Sequence, residues 1–334
     1  MTELTISGNE SSQRLDKFLK KYMDLAPQSF FYKMLRKKNI TLNGKKASGS
    51  ELLKEQDTVR LFLSDETIRS FQSGKTGRAA LLNEGNSLDP RRILYEDKDV
   101  LIYNKESGLL VQKSAPEDVS LTEELLTYLI REGAVNPESL RAFRPSPVMR
   151  IDRNTSGIVL CGKTLTGLQI LSEWIRERRI RKLYLAVTEG IPSSFGIIRC
   201  AVRKDHRRNT VHLRRLKEEE EPARGEELCM SSFRLIAKGH GYGLIEAELL
   251  SGKTHQIRAQ LSLLGSPILR DVKYGSKSAV HGTDGYKGQL LHAWKVIFPK
   301  DLEGLPELCG RSFEAEPPEA FRNIMKQYFL LDGM

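Results

Sequence analysis

The apolar residues near the start of the chain recur at the spacing of α-helices. Four of them fall at i, i+3, i+4 and i+7, which is one helix face: Leu15, Phe18, Leu19 and Tyr22. After an interruption at Pro27, a second short helix is predicted with Ser29 as its N-cap. Its inward positions are Phe31, Met34 and Leu35. Two short helices are therefore expected to open the chain.

The next segment has the pattern of a β-hairpin. The stretch NITLNGKK runs into Asn43-Gly44, and Asn-Gly is the strongest two-residue hairpin signal. A closing strand, TVRLFL, follows. Residues 12–63 thus predict a small α/β unit of their own. Residues 64–90 are polar and aperiodic, contain Gly and Ser, and predict a linker.

From Arg92 the pattern changes to short strands with tight connections, as in RILYE, VLIYN and LLVQ. A helix is predicted to begin at Ser120, which forms a capping-box pattern with Glu123, and to end at Gly133. The strand GIVLC and the helical pattern LTGLQILSEWIRERR come next.

The second half of the chain also predicts mainly strands joined by turns. In KLYLAVTEG, Leu183, Leu185 and Val187 alternate with residues of the opposite strand face. GLIEAELLSG predicts another strand, and Thr254 can cap a helix that ends at Gly265. Strands outnumber helices and are joined mostly by turns. Residues 91–330 therefore predict an α+β domain with a mixed, largely antiparallel sheet and flanking helices.

The charge of the chain is concentrated at its start. The formal net charge is +10, and residues 12–63 hold twelve Lys or Arg against five Asp or Glu. Five of the basic side chains lie on the second helix and on the hairpin: Lys33, Arg36, Lys37, Lys45 and Lys46. Like charges at i,i+4 on a helix repel each other, and an anionic partner would offset that cost. A nucleic acid is the expected partner, with a merely basic soluble enzyme as the alternative.

Cysteines and apolar runs indicate the compartment. Cys161, Cys200, Cys229 and Cys309 are widely spaced, with no C-x-x-C pair and no nearby cluster of histidines. Reduced thiols are therefore expected, without a zinc site or a disulfide framework. The N-terminus lacks the pattern of a signal peptide, and no apolar run approaches the ~18 residues that would cross a bilayer. We expect a cytoplasmic protein with no membrane partner.

The stretch VMRIDRNTSGIVLCGKT allows two kinds of chemistry. Its second half, from Gly157 to Thr164, fits the phosphate-loop pattern G-x-x-x-x-G-K-[ST]. A phosphate loop, however, runs from a strand through small residues into a helix, whereas the spacer here is the apolar β-type run IVLC. The first half places one carboxylate, Asp152, between two arginines and before a turn. We therefore disfavour a nucleotide hydrolase, and Asp152 becomes the residue of interest in this stretch.

Four segments resemble the signatures of one enzyme family, the RluA-type pseudouridine synthases. In chain order these are RIDRNTSGIVL, RKLYLAVTEG, LLSGKTHQIRAQLSLLGSPILRDVKYG and LLHAWKVIF, which span roughly residues 90–325. Residues 12–63 separately resemble an S4 RNA-binding domain. The resemblance is greatest to members that modify large-subunit ribosomal RNA. In one departure, Met149 stands where the family signature has a histidine.

The resemblance implies isomerisation of uridine to pseudouridine in RNA, without a cofactor or a metal ion. It gives Asp152 the catalytic role, as nucleophile or as base, with Arg258 as its cation and Tyr184 stacked on the target base. Leu291 would line the base pocket, and Arg150 would fill the space that the flipped nucleotide leaves. Two further residues, Lys253 and His255, precede a predicted helix and are expected to contact phosphate.

Taken alone, these residue types have ordinary explanations. A turn aspartate paired with arginine, an arginine extended along a helix edge and a tyrosine at a core margin are all common. The alternative function is a catalytically inactive RNA-binding or ribosome-assembly protein on the same fold. In either case we expect a monomer whose partner is RNA, with 23S ribosomal RNA as the expected species.

Overall fold

A computed structural model gives the fold of this chain. It describes all residues except 7, 73–86, 116, 138, 142, 206–209, 276–285, 287 and 330–334. The chain divides into two compact units. The first contains Met1–Leu101, Gln112–Val148 and Leu160–Ser172, and the second contains Ile102–Val111, Met149–Val159 and Glu173–Met334. The sequence-based division into 12–63 and 91–330 stays a prediction.

The described residues contain helices of six to twelve residues and strands of two to thirteen. The helices are α1 (Leu15–Tyr22), α2 (Gln28–Arg36), α3 (Asp65–Ser70), α4 (Leu121–Arg131), α5 (Leu165–Arg176), α6 (Gln256–Leu263) and α7 (Glu319–Phe329). The first strands are β1 (Thr2–Thr5), β2 (Ile40–Leu42), β3 (Lys45–Lys46), β4 (Thr58–Leu61), β5 (Ile93–Glu96), β6 (Val100–Lys105), β7 (Ser146–Pro147) and β8 (Ser156–Gly162). The remaining strands are β9 (Arg181–Glu189), β10 (Gly196–Asp205), β11 (Thr210–Arg215), β12 (Glu227–Gly239), β13 (Tyr242–Leu249), β14 (Leu291–Ile297) and β15 (Ser312–Glu314).

The N-terminal region has its own sheet, in the order β1-β4-β2-β3, and its own hydrophobic core. The predicted helix face is confirmed, since Leu15, Phe18 and Leu19 are buried in that core. The predicted hairpin is also confirmed. Asn43 and Gly44 have φ values of +51° and +71°, and both central residues of a type I′ turn require positive φ.

Two boundaries of this region differ from the sequence-based prediction. Helix α2 begins at Gln28 with Pro27 as its N-cap residue, so the predicted cap at Ser29 was wrong. The predicted linker contains α3, whose Ile68 is buried in the N-terminal core. Phe71 then packs on Phe30 at a ring-centroid distance of 4.7 Å. This short helix was missed because a single inward apolar residue gives no periodicity.

The larger sheet has eleven strands, in the order β11-β10-β12-β13-β9-β14-β8-β6-β5, with β15 beside β14 and β7 beside β8. Most of its pairings are antiparallel, and β14 with β8 is a parallel one. The predicted mixed, largely antiparallel sheet is therefore confirmed. Strand β9 lies between β13 and β14, and it is buried on both faces from residue 183 to residue 188.

The phosphate-loop pattern forms no loop. Gly157 and Gly162 both lie in β8, which is buried along its whole length. Lys163 donates from Nζ to Glu96 Oε1 and to the Asp97 carbonyl oxygen, each at 2.6 Å. Thr164 donates from Oγ1 to Asp99 Oδ1 at 2.7 Å. Because the lysine and the threonine hold a neighbouring turn, this motif has no phosphate-binding geometry.

The helix ends refine two further predictions. Ser120 does precede α4, but its hydroxyl bonds the Glu123 carboxylate and caps no backbone N–H, so the capping box is not formed as predicted. The residue before α6 is His255, in the left-handed conformation with φ of +52°, where Thr254 was expected as the cap. Within the described part of the chain, no helix is both long enough and apolar enough to cross a membrane.

Candidate active site

Asp152 lies in the tight turn that leads into β8. The turn is closed by a hydrogen bond from the Thr155 amide to the Asp152 carbonyl oxygen at 3.0 Å. The buried Thr155 hydroxyl accepts a hydrogen bond from Gln289 Nε2 at 3.0 Å. The Asp152 side chain keeps 27% of its surface exposed. The turn therefore presents this carboxylate at the margin of the core, where a large substrate can reach it.

Lys105, a residue that the sequence analysis did not single out, fixes the same turn. It is fully buried at the end of β6, and its Nζ donates to three carbonyl oxygens. The acceptors are Glu106 at 2.6 Å, Leu109 at 2.8 Å and Arg153 at 3.1 Å. Arg153 follows Asp152 directly, so the buried ammonium group restrains the backbone that carries the carboxylate. A lysine ending an apolar strand was the only sequence signal for this role.

Small residues lie beside Tyr184 in the neighbouring strands of the sheet. In register, Gly157 of β8 pairs with Ala293 of β14, Ala293 pairs with Tyr184 of β9, and Tyr184 pairs with Ala247 of β13. Gly157 has φ of +110°, and a Cβ there would lie 2.2 Å from the Ala293 carbonyl oxygen. Only glycine permits this close approach of β8 and β14.

Arg258 joins two carboxylates. Its Nη1 donates to Asp152 Oδ2 at 2.7 Å. On its other side, Nε and Nη2 donate to the two oxygens of Asp271, at 2.6 and 2.8 Å. The Arg258 side chain is 6% exposed and the Asp271 side chain is fully buried. The expectation that Arg258 partners Asp152 therefore has a geometric basis, and the alternative of an extended surface arginine does not.

The electrostatics of this cluster keep its groups in defined protonation states. Burial opposes the charge of Arg258, but the hydrogen bonds and charges of Asp271 and Asp152 raise its pKa. Burial likewise opposes ionisation of Asp271, yet the hydrogen bonds from Arg258 and from two backbone amides lower its pKa. Burial, and then the negative charge of Asp152, raise the pKa of Tyr184. Tyr184 is therefore a neutral phenol at physiological pH.

The turn before α6 is held by a buried glutamine. Gln256 Oε1 accepts from the Ser251 hydroxyl at 2.9 Å and from the Lys253 amide at 3.0 Å. Its Nε2 donates to the Met230 carbonyl oxygen at 2.6 Å and to Ser231 Oγ at 2.8 Å. Every polar atom of this side chain is used, so Gln256 fixes the start of the helix that carries Arg258.

The residues expected to contact phosphate at this turn already have protein partners. Lys253 forms an ion pair with Glu227. His255 Nδ1 lies 3.0 Å from the hydroxyl of Tyr274, and the Arg258 guanidinium carbon is 5.4 Å from the centroid of that ring. Tyr274 and Asp271 belong to the D-x-x-Y-G pattern of the sequence. That pattern contributed to the family resemblance, but no role could be assigned to either residue from it.

His292 lies in β14 and is fully buried. Burial lowers its pKa to about 4, so the imidazole is neutral at physiological pH. Nε2 lies 2.9 Å from the Ala315 carbonyl oxygen, which can only accept, so Nε2 carries the hydrogen. Nδ1 is then the acceptor for the Ser156 hydroxyl at 2.8 Å. The histidine thereby joins β14 to the first residue of β8.

The other predicted site residues take different environments. Leu291 is buried and pairs in register with Ala186, so it lies on the same sheet face as Tyr184. Arg150 is exposed just before the Asp152 turn. Met149 lines an apolar crevice together with Tyr184 and Ala293, so the substituted position is adjacent to the base-stacking candidate. Five predicted RNA contacts are exposed on the N-terminal region: Lys33, Arg36, Lys37, Lys45 and Lys46.

The arrangement at Asp152 suits one-carboxylate chemistry. Oδ2 is held by Arg258, while Oδ1 accepts no hydrogen bond from any residue that the structure describes. An anchored carboxylate with one open oxygen can act as a nucleophile or as a general base. Across the same described residues, no group of three His, Cys, Asp or Glu side chains is arranged to hold a metal ion.

Comparison with known proteins identifies the family. The family model for RNA pseudouridylate synthase matches residues 99–263. The ribosomal large subunit pseudouridine synthase C of Haemophilus ducreyi is 30% identical over 309 residues, which cover 90% of this chain and 88% of that protein. The ribosomal large subunit pseudouridine synthase D of Borreliella burgdorferi is 27% identical over 327 residues, covering 97% and 92%.

A solved structure gives the same fold. The human RNA pseudouridylate synthase domain containing 4 superposes with a TM-score of 0.57 at 20% identity, covering 71% of this chain and 92% of that one. The sheet and its flanking helices are thus those of a pseudouridine synthase. With the family match and the relatives that align along nearly the whole chain, the conclusion is that this chain belongs to the RluA-type RNA pseudouridine synthases.

Proposed function

We propose that this enzyme isomerises specific uridines of large-subunit ribosomal RNA and that Asp152 is the one carboxylate that acts on the nucleotide. The observation that supports this assignment is the unequal hydrogen bonding of the two carboxylate oxygens of Asp152. Its Oδ2 accepts a hydrogen bond from Arg258 at 2.7 Å, and its Oδ1 accepts none from the described residues. The carboxylate is also partly exposed. A group that must reach a substrate needs one free oxygen and a fixed orientation.

The reaction exchanges one bond of the base for another. The N-glycosidic bond of the uridine breaks, the base rotates, and a carbon of the ring joins the ribose. The proton lost from that carbon is balanced by the proton gained on the released nitrogen, so no atom is added or removed. Asp152 acts either by attacking the nucleotide or by removing a proton from the ribose. Both routes use the carboxylate as the reacting group, and Arg258 holds it in place by a hydrogen bond at 2.7 Å.

The neighbours of Asp152 have separate tasks in this proposal. Arg258 orients the carboxylate, and Asp271 holds Arg258 by two hydrogen bonds. Tyr184 is a neutral phenol on a face flanked by alanines, which suits stacking on an uncharged base. The target must leave its stack to reach Asp152, at a cost of a few kcal/mol. Exposed Arg150, two residues before Asp152, is proposed to fill the vacated space.

The substrate is proposed from two independent observations. Several relatives that align over about nine-tenths of this chain are named for the large ribosomal subunit. The N-terminal region exposes Lys33, Arg36, Lys37, Lys45 and Lys46, and none of these pairs with a carboxylate among the described residues. Unpaired cations suit RNA phosphates. We therefore assign residues 12–63, extended to Phe71, to an S4-like RNA-binding domain, with catalysis in residues 91–330.

The test is to map pseudouridines in ribosomal RNA from cells with and without this protein. One or more large-subunit sites should be lost without it and restored by the wild-type chain. Purified protein should also form pseudouridine in 23S RNA isolated from the deletion strain. Restoration of the sites by an Asp152→Ala protein would refute the role of the carboxylate. Intact modification in the deletion strain would favour the alternative of an inactive RNA-binding protein.

A further inference from the structure

The N-terminal region contains a cavity next to its basic helix. It has a volume of about 320 Å³ and lies between α2 and the segment after β3. The residues that matter for its chemistry are Tyr32 and Arg36 on one side and Lys46, Ser48 and Glu51 on the other. Small-molecule sites begin at about 300 Å³, so the cavity can hold a group the size of one nucleotide.

Tyr32 offers a fixed aromatic surface to this cavity. It is 42% exposed although it lies on a helix packed against the core. Its hydroxyl donates to Asp16 Oδ2 at 3.2 Å, and Asp16 is held in turn by two hydrogen bonds from Arg14, at 2.8 and 3.1 Å. A Cβ added at Gly49, whose φ is +98°, would lie 3.5 Å from Cε1 of the ring, so this backbone lies close beside Tyr32. An exposed ring whose polar end is pinned loses little freedom when something stacks on it.

The charges around the ring are unevenly placed. Arg36 and Lys46 are exposed, and no carboxylate of the described residues pairs with either one. The one acidic group of the cavity, Glu51, already accepts from the Ser48 amide, the Ser48 hydroxyl and the Gly49 amide. The cavity thus combines an aromatic face with two unpaired cations, while its carboxylate is bound to backbone.

We propose that this cavity is a nucleotide-binding subsite for single-stranded RNA, in which one unstacked base lies on Tyr32 and its flanking phosphates contact Arg36 and Lys46. The inference rests on the proposed RNA substrate and deepens it, because it adds recognition of an unpaired nucleotide to a general attraction for phosphate. Aromatic platforms accept any base, since every base has a π-face. The subsite therefore selects for single-strandedness and not for sequence.

The experiment uses full-length protein and two probes, a single-stranded oligouridylate and a blunt RNA duplex of the same length. Tyr32→Ala should weaken binding of the oligouridylate by about fivefold to hundredfold, the range for loss of one stacked base. Binding of the duplex should change by less than about twofold, because its bases are already stacked. Tyr32→Phe keeps the ring and should stay close to wild type. Phe62→Ala, which removes another exposed aromatic ring of this region, is the matched control.

Each outcome decides the proposal. Equal affinity of wild type and Tyr32→Ala for the oligouridylate would overturn it, and so would an equal loss for both probes, which would indicate a charge or folding effect. Tyr32→Leu keeps the apolar bulk without the ring. It is used in place of Tyr32→Ala if the Tyr32→Ala protein unfolds at a lower temperature than wild type. Pseudouridine formation is assayed in parallel. Loss of the oligouridylate preference with normal turnover supports the subsite alone, whereas absent turnover in wild type would refute the proposed function only.

Discussion

The active centre and the N-terminal basic surface use charge in opposite ways. At the centre, Arg258 is 6% exposed and binds two carboxylates, so the cation and both anions are committed to one another. On the N-terminal region, the side chains of Lys33, Arg36 and Lys37 are exposed and meet no carboxylate of the described residues. The active centre thus has paired charges with fixed geometry, whereas these three side chains form a surface of unpaired charges of one sign.

This difference in charge pairing determines how each region responds to amino-acid substitution. Buried charges interact in a low-dielectric environment, so removal of one partner leaves the other uncompensated and the effect is large. Exposed charges are screened by salt, and each contributes a small amount to the affinity for a polyanion. Catalysis should therefore be sensitive to single substitutions at the centre. RNA binding should decline gradually, and should depend on salt, when surface cations are replaced.

The largest effect is expected from Asp152→Asn. The substitution keeps the shape of the side chain but removes the charge that acts on the nucleotide, so single-turnover pseudouridine formation should fall by at least about a thousandfold. Arg258 keeps its two hydrogen bonds to Asp271, so the protein should stay folded. The affinity for RNA, measured by filter binding at fixed salt, should change by less than about threefold, because it comes from many phosphate contacts.

Single-turnover rates close to those of wild type in purified Asp152→Asn would remove this residue from the mechanism. A parallel collapse of RNA affinity would contradict the separation of the two regions, because it would make Asp152 part of the binding surface. Asp99→Asn is a suitable control, since that carboxylate accepts from Thr164 and serves a turn outside the site.

Asp271→Asn comes next, with an effect on stability as well as on rate. Asp271 is fully buried and holds Arg258 by two hydrogen bonds, and breaking a buried ion pair typically costs about 3–5 kcal/mol. The Asp152 side chain is 27% exposed, so Asp152→Asn should cost much less. Denaturant unfolding of the two variants measures the difference. Equal losses of unfolding free energy would show that Asp271 is no more than another partner of Arg258.

Sequence reasoning found the candidate residues Asp152 and Arg258 but not the residues that hold them in place. The helical face of Leu15, Phe18 and Leu19 and the Asn43-Gly44 turn depend on local spacing, and both were found from the sequence. Asp152 was noted from its own segment, but its catalytic role and the choice of Arg258 came from the family resemblance, because a turn aspartate and a helix arginine are individually unremarkable. The hold of Asp271 on Arg258 was out of reach, since the sequence gives no distance between a helix and the turn that follows it.

The role of Lys105 is a second feature that the sequence could not predict. A lysine at the end of an apolar strand is normally expected to reach solvent, whereas this one is fully buried and donates to three carbonyl oxygens. Those acceptors are created by the fold of two separate turns and have no signature in the sequence. Features that depend on local periodicity could therefore be predicted, and features that depend on backbone atoms meeting in space could not.

The third prediction concerns stability against pH and the buried histidine of β14. The pKa of His292 is lowered from 6.5 to about 4, so between these values the unfolded chain binds a proton that the folded chain does not. Stability should therefore fall as the pH is lowered from about 6.5 to about 4, by about 1.4 kcal/mol per unit and about 3 kcal/mol in all. The lowered pKa of Asp271 acts in a lower window, with stability lost only below its ordinary value of 3.8.

A comparison of His292→Gln with wild type isolates this contribution. The variant lacks the titrating group, so its unfolding free energy should decline less steeply between pH 6.5 and 4 than that of wild type. The pKa of His255 is also lowered by burial, but His255 is present in both proteins and cancels in the difference. Parallel curves for the two proteins would mean that another group causes the acid sensitivity.

A second basic segment makes the comparison between the regions sharper. The stretch from Arg199 to Arg215 holds seven Lys or Arg in 17 residues, a higher density than the twelve in residues 12–63. Within its described part, Arg199 pairs with Glu221 at 3.1 Å, and Arg214 pairs with Glu220 and with Glu226. The acidic run that follows in sequence thus neutralises these arginines. Pairing with carboxylates therefore distinguishes Arg199 and Arg214 from the cations of α2. Three other described cations of the segment form no ion pair among the described residues: Arg203, Lys204 and Arg215.

The smallest expected effect tests whether pairing, and not charge alone, decides RNA affinity. One full-length variant replaces Lys33, Arg36 and Lys37 with Gln. Its control replaces three paired arginines with Gln: Arg199, Arg214 and Arg234. Both variants lose the same charge. If the N-terminal cations contact phosphate, the slope of log affinity against log salt should flatten by about two units in the first variant, at 0.7–0.9 per contact, and by far less in the control. Equal flattening would mean that RNA responds only to net charge, and the contrast between paired and unpaired cations would then carry no information about where the RNA binds.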